Sequence, residues 1–192
     1  MERFNVEQFE AGAQDTIAIE KLELKRALPL DYLRFVISEV AEQNEALSEM
    51  VLFLEKDRLI ISLPQNLLFE SGQAEVNSDG RQALFVIGGK LTHIRNRIEV
   101  VGHADPSPIS ANNERFSSNR ELSLARALSV GAILNKVGYD RTIITRGMGV
   151  ARYDELSEQI PEEERLNLSR RVDIVILKGS KAYSFSNMKI DP

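Results

Sequence analysis

Residues 118–138 read SNRELSLARALSVGAILNKVG, and this stretch predicts a helix with both of its ends marked. Ser118, followed three residues later by Glu121, fits the pattern of a capping box, in which two side chains satisfy backbone amides at a helix start. Gly138 is of the residue type that most often follows the last turn of a helix. We therefore expect a helix over residues 119–137.

A short apolar strand precedes this helix and leads into a charged side chain. Residues 97–102 read RIEVVG, and Asp105 follows shortly after them. On the helix, Arg126 lies one turn after Leu122 on the same face. An arginine binds carboxylates through its planar fork, and an aspartate accepts hydrogen bonds from ammonium groups. Asp105 and Arg126 thus predict a small bipolar pocket, with a direct salt bridge between them as the structural alternative.

The N-terminal quarter of the chain predicts a short strand over residues 17–24 and then a helix. Asp31 is the predicted N-cap of that helix. Apolar residues recur after it at helical spacing, as Leu33, Val36, Ile37, Val40 and Leu47. The helix would pack either on its own domain or on a second copy of the chain.

The middle of the chain predicts a hairpin and a further helix. Two apolar runs separated by four polar residues lie between residues 50 and 63, which is typical of paired strands. Asn77 or Ser78 can cap the next helix. Its apolar face comprises Leu84, Ile87, Leu91 and Ile94. Gly88 and Gly89 lie within this helix, and they predict that another backbone approaches closely there.

The last third predicts strands over 143–146 and 171–177, with an exposed acidic stretch over 154–165. Strand and helix therefore follow one another as βαβαββ. This order favours an α/β (α+β) two-layer sandwich, in which a mixed sheet carries helices on one face, with the N-terminal helix added. The predicted divisions are a linker and amphipathic helix over 1–48, the main domain over 49–179, and a polar tail over 180–192.

Composition excludes several classes of function. The 192 residues carry 24 Lys and Arg against 29 Asp and Glu, and the net charge of −5 gives no reason to expect nucleic acid as a partner. The chain has no cysteine and two histidines, His93 and His103. No nucleophile elbow, metal-ligand spacing or dinucleotide loop accompanies them. We expect no enzyme, no metal and no cofactor, and no secretory signal or membrane-spanning run is visible.

Four short motifs between residues 69 and 177 match one known family. Six residues fill the fixed places of its helix signature Asn-x-x-Leu-Ser-x-x-Arg-Ala-x-x-Val: Asn119, Leu122, Ser123, Arg126, Ala127 and Val130. Residues 102–105 are similar to its Gly-His-Thr-Asp, with Ala104 in place of Thr. Residues 169–174 resemble its Asn-Arg-Arg-Val-Glu-Ile, with Ser169 in place of Asn, and residues 69–72 its Phe-x-x-Gly/Asn segment. The whole segment from Phe69 to Leu177 therefore resembles an OmpA-like peptidoglycan-binding domain.

The resemblance implies a non-catalytic site for the diaminopimelate side chain of cell-wall peptide. Matched by position, Asp105 and Arg126 would grip the two ends of that side chain. The pocket around them would be formed by Ala104, Asn119 and Leu122. Two secondary candidates follow later in the chain, Arg170 and Arg171.

Within the family, residues 105–109 and 120–123 look closest to the MotB branch of flagellar stator proteins. That branch implies a periplasmic domain of a bacterial inner-membrane protein, a homodimer, and a MotA-like membrane channel subunit as partner. A general envelope tether of the OmpA, Pal or type VI secretion kind is the alternative within the family. A wall amidase and a purely structural dimerisation module are the alternatives outside it.

Overall fold

The computed structural model describes residues 27–109 and 115–179. The strand predicted over 17–24 and the tail predicted over 180–192 lie outside the described residues. None of the helices in the described ranges combines the length and apolarity needed to span a membrane.

The described chain forms five strands and six helices, with a 3-10 turn at Glu45–Leu47. In chain order these elements are α1 (Leu30–Glu42), β1 (Val51–Leu54), β2 (Arg58–Pro64), α2 (Gln65–Leu68), α3 (Ser78–Leu91), β3 (Ile98–Gly102), α4 (Asn119–Val137), β4 (Ile143–Gly147), α5 (Ala151–Asp154), α6 (Glu162–Ser169) and β5 (Arg171–Leu177). The predicted fold class is confirmed, but the order of the main elements after α1 is ββαβαββ, because the antiparallel hairpin places two strands at the start where βαβαββ has one.

The five strands form one mixed sheet in the order β1-β2-β5-β3-β4. Strands β3 and β4 are parallel, and the remaining neighbours are antiparallel. Strand β5 therefore lies at the centre, between β2 and β3. This order places the start of β5 beside the end of β3, where Gly102 pairs with Val172.

The core lies between the sheet and the layer formed by α1, α3 and α4. Alternate residues of β5 point into it, as Val172, Ile174 and Ile176 show by their burial. Each fully buried aliphatic side chain of this kind contributes about 1.5–3 kcal/mol of transfer free energy. The residues between them, including Asp173, point to the opposite face of the sheet, because side chains alternate along a strand.

Helix α1 packs on its own domain. Leu30, Leu33 and Ile37 are buried in the common core, whereas Tyr32 and Phe35 are 55% and 58% exposed. The prediction of Asp31 as N-cap was wrong: Pro29 occupies the cap position and its carbonyl accepts from the amide of Leu33 at 3.1 Å. The helix also ends at Glu42, so Leu47 belongs to the separate 3-10 turn.

Helix α3 confirms Asn77 as its cap, since the Asn77 side chain accepts from the amide of Gly80 at 2.7 Å. The close backbone contact predicted at Gly88 and Gly89 is wrong. A Cβ at Gly88 would meet the side chain of Val137, and one at Gly89 would meet nothing within 4 Å. Among the described residues, tight backbone contacts lie instead at Gly80, against Leu68, and beneath α4, at Gly102 and Gly147.

Short helices form in two segments for which the sequence predicted none. Residues 65–68 form the single turn α2, α5 ends at the first residue of the acidic stretch 154–165, and α6 begins within that stretch at Glu162. Most of the residues in that stretch are nonetheless exposed, as predicted. Short helices of this length carry too little periodicity to be distinguished from loops in a single sequence.

Candidate functional site

Helix α4 lies directly on the backbones of β3 and β4. Gly102 and Gly147 are paired across these two strands. A Cβ at Gly102 would collide with the carbonyl of Ser123, and one at Gly147 would lie 2.6 Å from the carbonyl of Arg120. Only glycine allows this approach at both positions. It places the start of α4 against the end of β3, beside the residues that follow Gly102.

The start and end of α4 follow the sequence prediction closely. The hydroxyl of Ser118 accepts from the amide of Glu121 at 3.2 Å. In return, the Glu121 carboxylate accepts from the amide and hydroxyl of Ser117, at 2.8 and 2.7 Å, and not from Ser118 as a strict capping box would require. Gly138 follows the last turn with φ of 122°, a conformation that side chains of L-residues rarely adopt.

Asp105 lies just beyond β3 and is held in its ionised form. Its carboxylate accepts from the amide of Ser107 at 2.6 Å and forms an ion pair with Arg170. Burial opposes ionisation, but the hydrogen bonds from Ser107 and Arg170 outweigh it, and the pKa of Asp105 is lower than usual. Asn119 fixes the same loop by donating to the carbonyls of Asp105 and Ser107, each at 3.0 Å.

Arg126 is 2% exposed and is held by neutral groups. Its Nε donates to the carbonyl of Gln73 at 2.8 Å, and its Nη1 donates to Oε1 of Gln65 at 2.6 Å. The guanidinium carbon also lies 5.2 Å from the centre of the Phe69 ring, a cation–π geometry. Burial lowers the pKa of Arg126 to about 10, so the side chain remains cationic at neutral pH.

Asp105 and Arg126 line one surface cleft of about 240 Å³. Within the described ranges no ion pair joins them, because Asp105 pairs with Arg170. The residues that line the cleft are Gln65, Ser71, Gly72, Ala104, Asp105, Ser107, Pro108, Ile109, Asn119, Leu122, Arg126 and Arg170. Among the described residues, the cleft lining thus carries two cations and one carboxylate, with an apolar wall contributed by Leu122 and Ile109.

The structure brings six of the seven predicted site residues to this cleft, and Arg171 lies apart from them. Its Nε is 3.1 Å from the carboxylate of Asp173, on the opposite face of the sheet. Arg170 caps the end of α6 and lines the cleft, whereas Arg171 is the first residue of β5 and lies on the opposite face of the sheet.

Sequence reasoning did not identify Gln65, Ser71 or Ser107 as residues of the cleft. Gln65 is brought in from the end of β2, and its contact with Arg126 joins residues 61 positions apart. The one available signal was a polar residue directly after Pro64, which closes a predicted strand.

A buried polar cluster lies behind the cleft, across the sheet, and we call it the rear cluster. It consists of Ser62, His103, Arg171 and Asp173. The Ser62 hydroxyl donates to Asp173 at 2.8 Å, and Nε2 of His103 lies 3.2 Å from the other carboxylate oxygen. Burial raises the pKa of Asp173, but His103, Arg171 and Ser62 outweigh it and hold that pKa below its usual range.

Among the described residues no group of three His, Asp or Glu side chains is placed to hold a metal ion. The charged and polar side chains that line the cleft offer hydrogen bonds and ion pairs to a ligand. A ligand with a carboxylate and an ammonium would match the charges of Arg126 and Asp105.

A comparison with protein families matches residues 68–167, just over half of the chain, to the model described as the OmpA family. The matched segment includes Asp105, Asn119, Leu122 and Arg126. It begins three residues after Gln65, so the family model does not cover that residue.

Individual relatives extend this finding. The chain is 33% identical to motility protein B of Escherichia coli over 118 residues, which are 62% of this chain and 37% of that protein. The crystal structure of the periplasmic domain of Helicobacter pylori MotB is 26% identical, with a TM-score of 0.61, over 77% of this chain and 87% of that one. The cell wall anchor of the type VI secretion system from Pseudomonas aeruginosa shares the fold at 24% identity and a TM-score of 0.63, over 73% and 96%.

Proposed function

Because the chain belongs to the OmpA family, we propose that its cleft binds cell-wall peptidoglycan and does not cleave it. The ligand is the diaminopimelate of a stem peptide, whose side chain ends in one ammonium and one carboxylate. Arg126 binds the carboxylate, and Asp105 accepts from the ammonium. The space between them is shaped by Ala104, Asn119 and Leu122. Arg170 pairs with Asp105 and favours its ionised form.

The observation that carries this proposal is that Asp105 and Arg126 share a cleft without neutralising each other. The contacts of Arg126 are to a carbonyl, an amide oxygen and an aromatic ring, all of which are uncharged. A buried cation that has only neutral partners keeps most of its attraction for an incoming carboxylate. Each charge-assisted hydrogen bond to the ligand would contribute about 1.5–3 kcal/mol.

We further propose that the chain anchors a MotB-like stator of an ion-driven flagellar motor to the wall. Its similarity to motility protein B of Escherichia coli and to the MotB periplasmic domain supports this proposal. The match spans 37% of the length of motility protein B. The proposed location is the periplasmic side of an inner-membrane protein, with a MotA-like channel subunit as partner.

A homodimer would strengthen such an anchor. One cleft offers few contacts, and association itself costs several kcal/mol of translational and rotational freedom. Two clefts that engage one polymer gain avidity, roughly 10²–10⁴-fold in favourable geometry. Sedimentation of the purified chain with and without wall fragments measures whether the dimer forms.

Retention on purified sacculi tests the wall-binding proposal. The double variant Asp105→Ala/Arg126→Ala should lose most of its retention, since both ligand contacts are removed. The matched control is Glu99→Ala/Arg146→Ala, which removes an acid and an arginine from the opposite face of the sheet. Equal retention of wild type and the cleft variant would refute the assignment, and release of soluble muropeptides would refute the non-catalytic role.

A further inference from the structure

We propose that Gln65 contacts the ligand directly and makes the cleft selective for a free carboxylate over a carboxamide. This proposal rests on the proposed function of the same cleft. Two side chains would bind the ligand carboxylate. Arg126 is the first, and Gln65, which lies outside the matched family segment, is the second.

The backbone of Gln65 is fixed at the junction of the sheet and the cleft. Its amide donates to the carbonyl of Arg170 at 2.9 Å, and its carbonyl accepts from the amide of Phe69 at 2.8 Å. Pro64 before it is the last residue of β2 and pairs with Arg171. The Gln65 side chain therefore starts from a rigid position beside both cleft arginines.

The orientation of the Gln65 amide follows from its partner. An arginine can only donate, so the group that faces Nη1 of Arg126 at 2.6 Å must be the amide oxygen. The nitrogen, Nε2, is then directed away from the guanidinium. Within residues 27–109 and 115–179 it donates to no protein acceptor, although Gln65 lines the cleft.

A carboxylate in the cleft would meet the unused donors of both side chains. The Nε–H of Arg126 is occupied by the carbonyl of Gln73, which removes the fork formed by Nε and its neighbouring nitrogen. The ligand is left with the remaining Nη donors of Arg126 and with Nε2 of Gln65. All of these groups donate and none accepts, so a carboxylate satisfies them and the NH2 group of a carboxamide does not.

The test uses the full chain and two synthetic peptides ending in diaminopimelate, one with its side-chain carboxylate free and one with it amidated. Affinities are measured by calorimetry. Wild type should prefer the free carboxylate. Gln65→Met removes the donor without adding charge, and should weaken binding of that peptide roughly five- to fiftyfold while leaving binding of the amide less affected.

Gln65→Glu separates a ligand contact from a purely structural role. The glutamate keeps an acceptor for Arg126, so the fold and the arginine position are preserved, but it offers no donor and adds a negative charge. It should therefore reverse the preference in favour of the amidated peptide. The control Gln73→Met changes a neighbouring glutamine that holds Arg126 only through its backbone carbonyl, and it should leave the preference unchanged.

The outcomes distinguish the two proposals. If wild type binds either peptide in an Asp105-dependent manner and Gln65→Met keeps the wild-type preference, the role of Gln65 is refuted and the proposed function stands. If wild type binds neither peptide, and sacculi retention does not depend on Asp105 and Arg126, both proposals are overturned. Unfolding by urea confirms that each variant is folded before its affinity is compared.

Discussion

The cleft and the rear cluster share two short segments, 102–105 and 170–173, yet their charges are arranged differently. In the rear cluster, Arg171 faces the carboxylate of Asp173, which His103 and Ser62 also contact. In the cleft, the described contacts of Arg126 are all to neutral groups. The charges of the rear cluster face one another, whereas a cation held by neutral partners remains available to a ligand.

The largest effect should come from breaking the rear cluster. Asp173→Ala leaves Arg171 and His103 facing each other without their shared carboxylate, and Asp173 is only 5% exposed. Removing one member of a buried charge pair costs about 3–5 kcal/mol, whereas loss of the Asp105–Arg170 pair at the cleft should cost about 1 kcal/mol or less. Urea unfolding of Asp173→Ala and Asp105→Ala measures the difference, and equal losses would contradict it.

Wall binding should depend on the cleft more than on the rear cluster, which is the reverse of the order expected for stability. Arg126→Met removes the cleft cation, and should weaken wall binding roughly ten- to a hundredfold, because a charge-assisted contact to the ligand is lost. Arg171→Met changes the opposite face of the sheet and should leave the wall affinity of the folded protein within about twofold of wild type. Retention on sacculi over a range of protein concentrations measures both. A larger loss in Arg171→Met, with folding intact, would place the site on the wrong face.

Acid should reveal the rear cluster in the unmodified protein. Because the folded-state pKa of Asp173 lies below its unfolded value, the stabilisation it provides is fully present above the unfolded pKa, near 3.9, and is lost as pH falls through the folded pKa. Each unit of that lowering corresponds to about 1.4 kcal/mol. Urea unfolding at pH 7 and pH 3 should show a smaller decline in Asp173→Asn than in wild type, and identical declines would contradict this assignment.

The smallest expected effect is at Ala104, where the family pattern has threonine. Ala104 is buried at the cleft wall, and its amide donates to the carbonyl of Gly149 at 2.9 Å. Ala104→Thr adds a hydroxyl that can bond a ligand, and should raise affinity roughly two- to fivefold. Ala104→Val adds the same volume without the hydroxyl. If both variants bind equally well, the hydroxyl contributes nothing.

The sequence predicted those parts of the molecule that have local signals. Helix α4 begins at Ser118 and ends before Gly138 because caps act within one turn, and strand β3 is an apolar run that stops before Asp105. The placement of Asp105 and Arg126 in one cleft followed from these two elements. The start of α1 at Leu30 was missed because Asp31 also suits a helix start, and the preceding proline then decided between them.

The parts that the sequence did not predict depend on contacts between distant residues. The ion pair of Asp105 with Arg170 joins positions 65 residues apart, and the bond of Gln65 to Arg126 joins positions 61 apart. The separation of Arg171 from the cleft is different. The two-residue period of β5 places Arg171 on the same face as Asp173, and this rule could have been applied to residues 171–177 before the structure was known.

The contact of α4 with the paired glycines of β3 and β4 has a mechanical consequence. The carbonyl of Ser123 occupies the place where a side chain of residue 102 would stand, so the helix rests directly on the backbone of β3 with no side chain between them. Tension on a ligand held between Arg126 and Asp105 would pass directly into the interior of the sheet, where β5 has neighbours on both sides. Under the proposed function, this direct packing would carry load from the bound wall into the core of the domain.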